Sequence, residues 1–352
     1  MATSRKLILV FGLVLGALAA LVFTLAFVAI LWNDPVFSTP PDVSPEALAA
    51  SGIDFSQPYA STPRRFRARD GVELVAQTLP ALSAESHTTV LLVHGLLGSS
   101  FTLNRASGLL REAAGADVVT IDLRGHGASG GHPGDVDYIG QYEDDLADVV
   151  RVLRAEHPGG RIVLAGHSMG GGIALRYAER ERRQPVDAFL LLAPYLGWES
   201  PSTRKTATPE AEAAGARFMR VHIARILGLK VLNSVGITGF NGLRTVLFNL
   251  PEDMPLRSYS YRAMENAAPT DYRRALRSLT APVLVLAGDR DEAFDARGYA
   301  PVLAGYDRVR FILMPEATHE GLLRDPRTMD AVRDWLRANL ADATRTAASP
   351  AS

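Results

Sequence analysis

The sequence predicts an α/β protein whose mostly parallel, twisted sheet has helices on both faces, with a helical cap insertion and a preceding N-terminal transmembrane helix. Three observations predict this fold class. Short apolar runs alternate with helix-length segments, one long stretch without a strong strand pattern interrupts them, and an uncharged apolar run lies near the N-terminus. Continuous apolar strands separated by helices are typical of a parallel sheet covered on both faces.

The bulk composition limits the classes of protein that the chain can belong to. Its 352 residues suit one large α/β domain with additions, and 47% hydrophobic residues are enough for a sizeable core. The net charge of −1, without a basic run, gives no electrostatic surface for nucleic acid, so no nucleic-acid partner is expected. The absence of cysteine excludes disulfides, thiolate metal sites and cysteine nucleophiles.

The N-terminal residues 1–32 are interpreted as a membrane anchor. The uncharged run at 7–32 follows Arg5 and Lys6. As a helix it would span roughly 39 Å, which exceeds the ~30 Å hydrocarbon core of a bilayer. A cleaved signal ending near residues 17–19 and a buried soluble helix are the alternatives. The basic flank predicts a cytoplasmic N-terminus and export of the rest of the chain, the predicted domain at 64–340 included, to the periplasmic or extracellular side.

Residues 33–63 contain many prolines and are expected to form a linker. Residues 64–340 then form the predicted α/β domain, which starts with a β-hairpin around an Asp70-Gly71 turn. The apolar runs that predict the following strands are 89–93, 118–121, 162–165, 188–193, 283–287 and 309–313.

Residues 195–279 contain no strong strand pattern and are interpreted as a helical cap within the α/β domain. Residues 211–232 are expected to form one or two amphipathic helices. Their apolar side would carry Phe218, Val221, Ile223, Ile226 and Leu227. A long insert between two sheet strands favours a cap over the sheet edge where active sites form, although it could merely widen the fold. The small, polar residues 341–352 predict a disordered tail.

The strongest chemical motif is Gly166-His167-Ser168-Met169-Gly170, a G-x-S-x-G sequence. It follows a predicted strand and precedes a predicted helix at 173–182, which is the context of a nucleophile elbow. The residues two before and two after the serine must be small, and both are glycine. Ser168 is therefore the candidate nucleophile, the alternative being an incidental serine in a Gly-rich turn.

A serine nucleophile needs an adjacent base and an acid that orients the base. In chains with this elbow the order is serine, acid, histidine. Of the eight histidines only His319 follows the last two strand patterns, so it is the candidate base. The acid should follow the strand at 283–287, where spacing favours Asp291 over the runner-up Asp289.

The oxyanion of an acyl-transfer reaction needs two backbone N–H donors. The first candidate is the N–H of Met169, directly after the nucleophile. The second is the N–H of Leu96, in the loop that follows the strand at 89–93. Gly95 and Gly98 in that loop would allow its backbone to approach the substrate closely.

Together these motifs resemble the monoacylglycerol lipase and lysophospholipase-like branch of the α/β-hydrolases, over residues 64–340. The resemblance is carried, in family order, by His94-Gly95, residues 122–129, residues 166–171, Gly288-Asp289-Arg290-Asp291 and the His319 loop. It implies the α/β-hydrolase fold and a serine triad, and a structural role for residues 122–129. Relatives with an aspartate nucleophile do not fit, because the elbow carries a serine.

The leading hypothesis is a membrane-anchored serine hydrolase of the carboxylesterase and lipase class. It would cleave monoacyl lipid esters or similar carboxylic esters through an acyl-enzyme on Ser168. No metal and no organic cofactor are expected. The same triad could instead serve acyl transfer, amide or peptide cleavage, or C–C cleavage. A third alternative, a non-catalytic binding protein, usually shows loss of a triad residue, and none is lost here.

Overall fold

The computed structural model describes residues 2–34, 37, 44, 56–180, 183–205 and 218–340. The chain forms two compact units. The sheet unit comprises residues 42–132, 138–207 and 265–352, and the insertion unit comprises residues 1–41, 133–137 and 208–264. The expected tail at 341–352, most of the linker and the first residues of the expected cap helices lie outside the described residues.

The strands are β1 Thr62–Arg67, β2 Glu73–Leu79, β3 Thr88–Val93, β4 Asp117–Ile121, β5 Arg161–His167, β6 Ala188–Leu192, β7 Met219–Val221, β8 Arg244–Phe248, β9 Ser258–Ser260, β10 Val283–Gly288 and β11 Val309–Met314. The α-helices are α1 Ala2–Ile30, α2 Asn104–Ala114, α3 Gln141–Glu156, α4 Met169–Glu179, α5 Ile223–Ser234, α6 Tyr261–Glu265, α7 Tyr272–Arg277, α8 Tyr299–Leu303 and α9 Pro326–Leu340. Two 3₁₀ turns lie at Ala296–Gly298 and Gly321–Leu323.

The sheet unit contains an eight-stranded sheet in the order β1-β2-β4-β3-β5-β6-β10-β11. The six strands from β4 to β11 in this order pair in parallel, whereas β2 runs antiparallel to both β1 and β4. The six predicted apolar runs match the six parallel strands. Five of these strands are almost entirely buried, as expected of a sheet covered on both faces, whereas the edge strand β11 is only partly buried. Parallel pairing brings their carboxyl ends to one edge of the sheet, where the loops carry the chemical motifs.

The first hairpin forms where the sequence predicts it. Thr62 pairs with Thr78 and Arg67 with Glu73, so β1 starts two residues before the expected boundary at residue 64. Gly71 has a φ of 88°, which a glycine adopts without steric cost.

A continuous apolar core packs one face of the sheet against helices. It contains Leu92, Val163 and Leu190 from the strands, Leu110 from α2 and Trp335 from α9, all buried. Burying such side chains contributes about 1.5–3 kcal/mol each. This core makes the sheet a rigid base for the loops at its carboxyl edge.

The insertion unit departs from the expectation that the insert contains helices alone. Besides α1 and α5 it contains a three-stranded antiparallel sheet in the order β7-β8-β9. Val221 pairs with Val246 in this sheet instead of lying on a helix. His222 caps α5, because its Nδ1 accepts a hydrogen bond from the N–H of Arg225, so the helix begins only at Ile223.

Residues 133–137 are held in the insertion unit by two arginines. Arg262 makes a bidentate ion pair with Asp135, at 2.9 Å and 2.8 Å. Arg244 donates to the carbonyl oxygens of Pro133 and Gly134, at 3.1 Å each. The unit is therefore assembled from three separate parts of the chain, and its insert segment is shorter than the expected 195–279.

Candidate active site

The motif around Ser168 forms a tight turn between β5, which ends at His167, and α4, which begins at Met169. Ser168 has φ 55° and ψ −118°, a backbone conformation that costs energy for a residue with a side chain. Two hydrogen bonds hold it there: its N–H donates to Leu192 O, and Tyr195 N–H donates to its carbonyl oxygen, both at 2.9 Å. Such strain, held by the surrounding structure, is typical of a nucleophile elbow.

The two glycines of the motif, Gly166 and Gly170, are sterically required. A Cβ on Gly166 would lie 2.3 Å from the carbonyl oxygen of Gly170. A Cβ on Gly170 would lie 2.3 Å from the carbonyl oxygen of Val93. Because both contacts are with backbone atoms, no side chain can move aside to relieve them, and the turn needs glycine at both positions.

His319 and Asp291 meet at the same edge of the sheet. The Nδ1–H of His319 donates to Oδ2 of Asp291 at 2.8 Å, and both residues are buried. The other carboxylate oxygen of Asp291 accepts from the N–H groups of Ala293 and Phe294, at 2.9 Å and 2.8 Å. The carboxylate is thus fixed from both sides, and its bond to Nδ1 leaves Nε2 of His319 as the nitrogen that can take a proton.

Asp289, the runner-up for the acid, has a different partner. Its Oδ1 accepts a hydrogen bond from the N–H of Glu316 at 2.5 Å, in the loop after β11. The acid that sequence reasoning did not assign is Glu292, whose Oε2 accepts from the N–H of His319 at 3.0 Å. Its position beside Asp291 in the acidic loop after β10 was the available signal.

His319 also lies against the strand that carries the elbow. Its ring is 4.6 Å from that of His167, and Nε2 of His167 donates to the carbonyl oxygen of His319 at 3.2 Å. Phe294 packs edge-on against the His319 ring, with 5.2 Å between centroids. These contacts place the candidate base beside the residue that directly precedes Ser168.

The pKa of His319 is raised above 6.5 although the residue is buried. Burial alone would lower this pKa, but the hydrogen bond that His319 donates to Asp291 and the charges of Asp291, Glu320 and Glu292 outweigh that effect. An imidazole with such partners is a stronger base than an isolated one. This is the electrostatic setting expected of a general base.

The loop after β3 comes directly against the elbow. A Cβ on Gly95 would lie 3.1 Å from the Cβ of Ser168, so this backbone closely approaches the candidate nucleophile. His94 shapes the loop: its Nδ1–H donates to Gly95 O at 2.8 Å, and its Nε2 accepts from Leu123 N–H at 3.1 Å. Leu97, at φ 59°, takes the sharp bend that follows Leu96.

Residues 122–129 form a loop held by buried ionic contacts. Arg124 pairs with Asp145 at 2.7 Å and with Asp70 at 2.9 Å, and its side chain is only 2% exposed. Asp122 accepts hydrogen bonds from the N–H groups of Ser100 and Ala128, at 2.5 Å and 2.8 Å. The loop thereby supports the segment that follows Gly95, and Arg124 is a structural residue.

One cluster in the described part of the chain has side chains close enough to share a metal ion: His167, His319 and Glu320, whose ligand atoms lie within 4.8 Å of one another. Both histidines belong to the site just described. A metal held there would compete for the nitrogen of His319 that a general base needs, and the expectation of a metal-free, cofactor-free site stays a prediction.

Comparison with known proteins agrees with this geometry. The family model described as serine aminopeptidase S33 (Hydrolase_4) matches residues 84–327. Since the match covers more than half of the chain, the protein belongs to this family of α/β-hydrolases. The fold class predicted from the sequence and the resemblance to the monoacylglycerol lipase branch are both confirmed.

The proteins similar to this chain include esterases and a monoacylglycerol lipase. The chain is 25% identical over 244 residues to a monoacylglycerol lipase of Mycolicibacterium smegmatis, covering 65% of this chain and 80% of that protein. It is 40% identical over 93 residues to esterase PIR7B of Oryza sativa subsp. japonica, covering 26% of this chain and 32% of that protein. The structure of Est1E from Butyrivibrio proteoclasticus with ferulic acid bound covers 79% of this chain and all of Est1E, with a TM-score of 0.56 and 19% identity, and shows the fold. The protein is a serine hydrolase of the carboxylesterase and lipase class.

Proposed function

We propose that the protein hydrolyses monoacyl lipid esters with Ser168 as nucleophile, His319 as general base and Asp291 as the acid that orients the base. The observation that carries this proposal is the buried His319–Asp291 hydrogen bond of 2.8 Å, in a loop packed against the residue before Ser168. Serine, base and orienting acid at one sheet edge are the parts that acyl transfer requires.

In the proposed first step, Oγ of Ser168 attacks the ester carbonyl carbon while Nε2 of His319 takes the hydroxyl proton. The backbone N–H groups of Met169 and Leu96 hold the oxyanion, helped by the positive N-terminal end of α4. Collapse of the intermediate expels the alcohol, which receives the proton from His319. Water then attacks the acyl-enzyme by the same route, with His319 again as base, and releases the carboxylic acid.

The substrate class is inferred from two independent supports. A monoacylglycerol lipase aligns with this chain over most of its own length. In addition, a 25-residue apolar helix at Lys6–Ile30 is long enough to hold the enzyme at a bilayer, where monoacyl lipids reside. We propose that the insert within the insertion unit is the cap that receives the acyl chain.

The N-terminal helix is proposed to be a retained anchor, with its N-terminus in the cytoplasm and the catalytic domain on the opposite side. The charge of Lys6 at its start and the uncharged apolar run that follows it support this topology. Full-length protein should stay with membranes after carbonate extraction, and a C-terminal reporter should be active only outside the cytoplasm. A soluble mature form that begins between residues 20 and 40 would favour a cleaved signal instead.

The test of activity uses the full chain in mixed lipid–detergent micelles. Monoacylglycerols, lysophospholipids and p-nitrophenyl esters of increasing acyl length are offered, with Ser168→Ala as the matched control. We expect release of fatty acid from monoacylglycerols and labelling by a fluorophosphonate, and neither with the variant. Turnover of p-nitrophenyl acetate without any turnover of monoacyl lipids would retain the triad and reject the substrate class.

Peptide-bond cleavage is a second candidate, because the matching family is described by a serine aminopeptidase. The same triad attacks an amide carbonyl, and His319 then protonates the departing amine. Aminoacyl p-nitroanilides in the same assay separate the two activities. A kcat/KM for these amides above that for monoacylglycerols would favour the peptidase.

A further inference from the structure

The last two turns of α1 are packed inside the insertion unit. Ala26 and Ile30 of α1 are buried in one apolar cluster with Leu229 and Leu232 of α5 and with Tyr261. Most of the earlier α1 side chains, from Leu7 onward, are exposed apolar groups. The helix therefore has an unpaired first part and a docked second part.

Gly228 allows α1 and α5 to approach closely. A Cβ at this position would lie 2.6 Å from the carbonyl oxygen of Ala26 and 2.8 Å from Cγ2 of Ile30. Any larger residue at position 228 would force the two helices apart. Small residues at a close helix crossing are typical of helices that pack within membranes.

Arg225 binds the carboxyl end of α1. Its guanidinium donates to Ile30 O at 3.1 Å, to Trp32 O at 2.9 Å and to Oδ1 of Asp34 at 2.5 Å. The last carbonyl groups of a helix lack partners within the helix, and a cation at that end is favourable. The end of α1 is thereby fixed to the start of α5 by a charged clamp.

The two helices run in opposite directions. Arg225, near the start of α5, contacts the end of α1, whereas Gly228, one turn later, contacts Ala26, one turn earlier in α1. Moving along α5 therefore means moving back along α1 toward the middle of the apolar span. The loop after α5 also contacts this part of α1, since Phe240 packs edge-on against Phe27 with 5.7 Å between ring centroids.

The free part of α1 is too short to cross a bilayer alone. Residues 7–22 would span roughly 24 Å at about 1.5 Å per residue, less than the ~30 Å hydrocarbon core. The complete apolar span reaches to Ile30. A bilayer that covers this span therefore also reaches the level of α5 and its following loop.

Several apolar side chains of α5 and its following loop are exposed, as a position at this depth of the bilayer requires. Leu227 is 58% exposed, Val235 is 55% exposed, and Ile237 and Phe240 are also exposed. Several exposed apolar side chains within one short segment suit a surface that meets another apolar phase. Lys230 is exposed on α5 and has a stem long enough to carry its charge to the lipid headgroups.

We propose that α5 and the loop to Phe240 are embedded with α1 in the leaflet on the side of the catalytic domain, so that this apolar face is covered by lipid acyl chains. The bilayer is the occupant because the face continues the apolar surface of the proposed anchor. The inference rests on the anchor proposed above and adds that the insertion unit is itself a membrane-embedded element.

The experiment uses the absence of cysteine from the chain, so that a single introduced cysteine carries the only thiol-reactive label. Full-length Val235→Cys and Ile237→Cys are labelled with an environment-sensitive fluorophore and placed in phosphatidylcholine–phosphatidylglycerol vesicles with nitroxide-bearing acyl chains. Leu13→Cys reports the free part of α1, and Asp253→Cys reports an exposed polar position of the insertion unit. We expect quenching at positions 13, 235 and 237, and none at 253.

The outcomes separate the proposals. Quenching at Leu13→Cys alone, with positions 235 and 237 behaving like 253, would overturn the embedded surface and retain the anchor. Absence of quenching at all four positions would overturn the anchor as well. Hydrolysis of p-nitrophenyl acetate, measured in the same vesicles, reports the proposed esterase chemistry independently of either result.

A second pair of variants tests whether the packing of α5 on α1 determines how deeply α5 inserts into the bilayer. Gly228→Leu in the Val235→Cys background should abolish quenching at 235, because the added side chain separates α5 from α1. Gly239→Leu is the matched control, since a Cβ there meets no atom within 4 Å. Equal quenching at 235 in both variants would show that α5 reaches the bilayer without the contact at Gly228, and would overturn the coupled insertion.

Discussion

Two pairs of histidines with rings in tilted contact lie at the carboxyl edge of the large sheet, and the two pairs have different chemistry. His94 and His126 follow β3 and β4, with ring centroids 4.9 Å apart. His167 ends β5 and His319 follows β11, with ring centroids 4.6 Å apart. All four side chains are buried. Burial and ring contact are therefore common to both pairs and cannot account for the difference.

The two pairs differ because a carboxylate, that of Asp291, contacts only one of the four histidines, His319. Burial lowers the pKa of His94 to about 4 and that of His167 to about 4. The pKa of His126 is lowered to about 3, mainly by burial and secondly by the nearby ring of His94. His319 alone of the four has a raised pKa, because the hydrogen bond and charge of Asp291 outweigh its burial. Three of these histidines are thus neutral hydrogen-bonding groups at pH 7, and the fourth is equipped to accept a proton.

The largest expected loss of activity comes from removing His319, the proposed base, or Ser168, the proposed nucleophile. His319→Ala and Ser168→Ala should each lower kcat/KM by roughly 10⁴–10⁶-fold, because triad members act as a unit. The double variant should be little worse than either single variant. Esterase kinetics measure this, with circular dichroism to show that each variant folds. A His319→Ala enzyme that retains a tenth of wild-type activity would place the base elsewhere.

The next largest effect is expected when the carboxylate of Asp291 is removed while His167 and His319 are kept. Asp291→Asn should lower kcat by roughly 10³–10⁴-fold, because an amide fails to orient and charge-stabilise His319. Asp289→Asn is the matched control and should change kcat only a few-fold, since its oxygen can still accept from Glu316 N–H. If the order of the two variants is reversed, Asp289 is the acid.

His94 and His126 should affect activity only indirectly, because His94 holds the backbone of the loop that contains Leu96. His94→Phe keeps a ring against His126 but removes the hydrogen bonds to Gly95 O and Leu123 N–H. We expect kcat to fall roughly 10–100-fold with little change in KM, because the proposed oxyanion donor Leu96 is displaced. His126→Phe, which leaves both bonds of His94 in place, should cost much less. Equal kcat losses in the two variants would indicate general disruption of the core.

The smallest effect is on the pH profile. Catalysis needs neutral His319, and its pKa lies above 6.5, so kcat/KM should fall as pH decreases through that raised pKa. In Asp291→Asn the raising influence is lost and burial remains, so the residual activity should have its acid midpoint at lower pH. Profiles of kcat/KM between pH 5 and 9 measure this for both proteins (a range set by the ordinary histidine pKa of about 6.5). An unchanged midpoint in the variant would mean that another group titrates.

The candidate site could be predicted from the sequence because its constraints are local. The turn at Ser168 requires glycine at 166 and 170, which leaves a readable motif. Chain order then isolates His319, and spacing from β10 favours Asp291. The hydrogen bond from His319 N–H to Glu292 could not be predicted, because three acids in one loop look alike until the loop after β11 is placed beside them.

The structure of the insertion unit was harder to predict than the candidate site, because two of its strands are very short. Met219–Val221 and Ser258–Ser260 have three residues each, too few to show an alternating pattern. The apolar residues expected on the inner side of a helix, such as Ile223 and Leu227, are exposed in the structure. A one-dimensional pattern shows which residues are apolar but not which surface covers them.

The clamp between Arg225 and the end of α1 also fixes an order of events during synthesis. Arg225 lies 195 residues after Ile30, whose carbonyl oxygen it binds. At about 5–20 residues per second, a ribosome needs roughly 10–40 s to make that intervening chain. During this interval Arg225 does not yet exist, so other donors must satisfy the terminal carbonyl groups of α1. Under the anchor proposed above, α1 enters the bilayer first as a solitary helix, and the segment that completes it arrives only after more than half of the protein has been made.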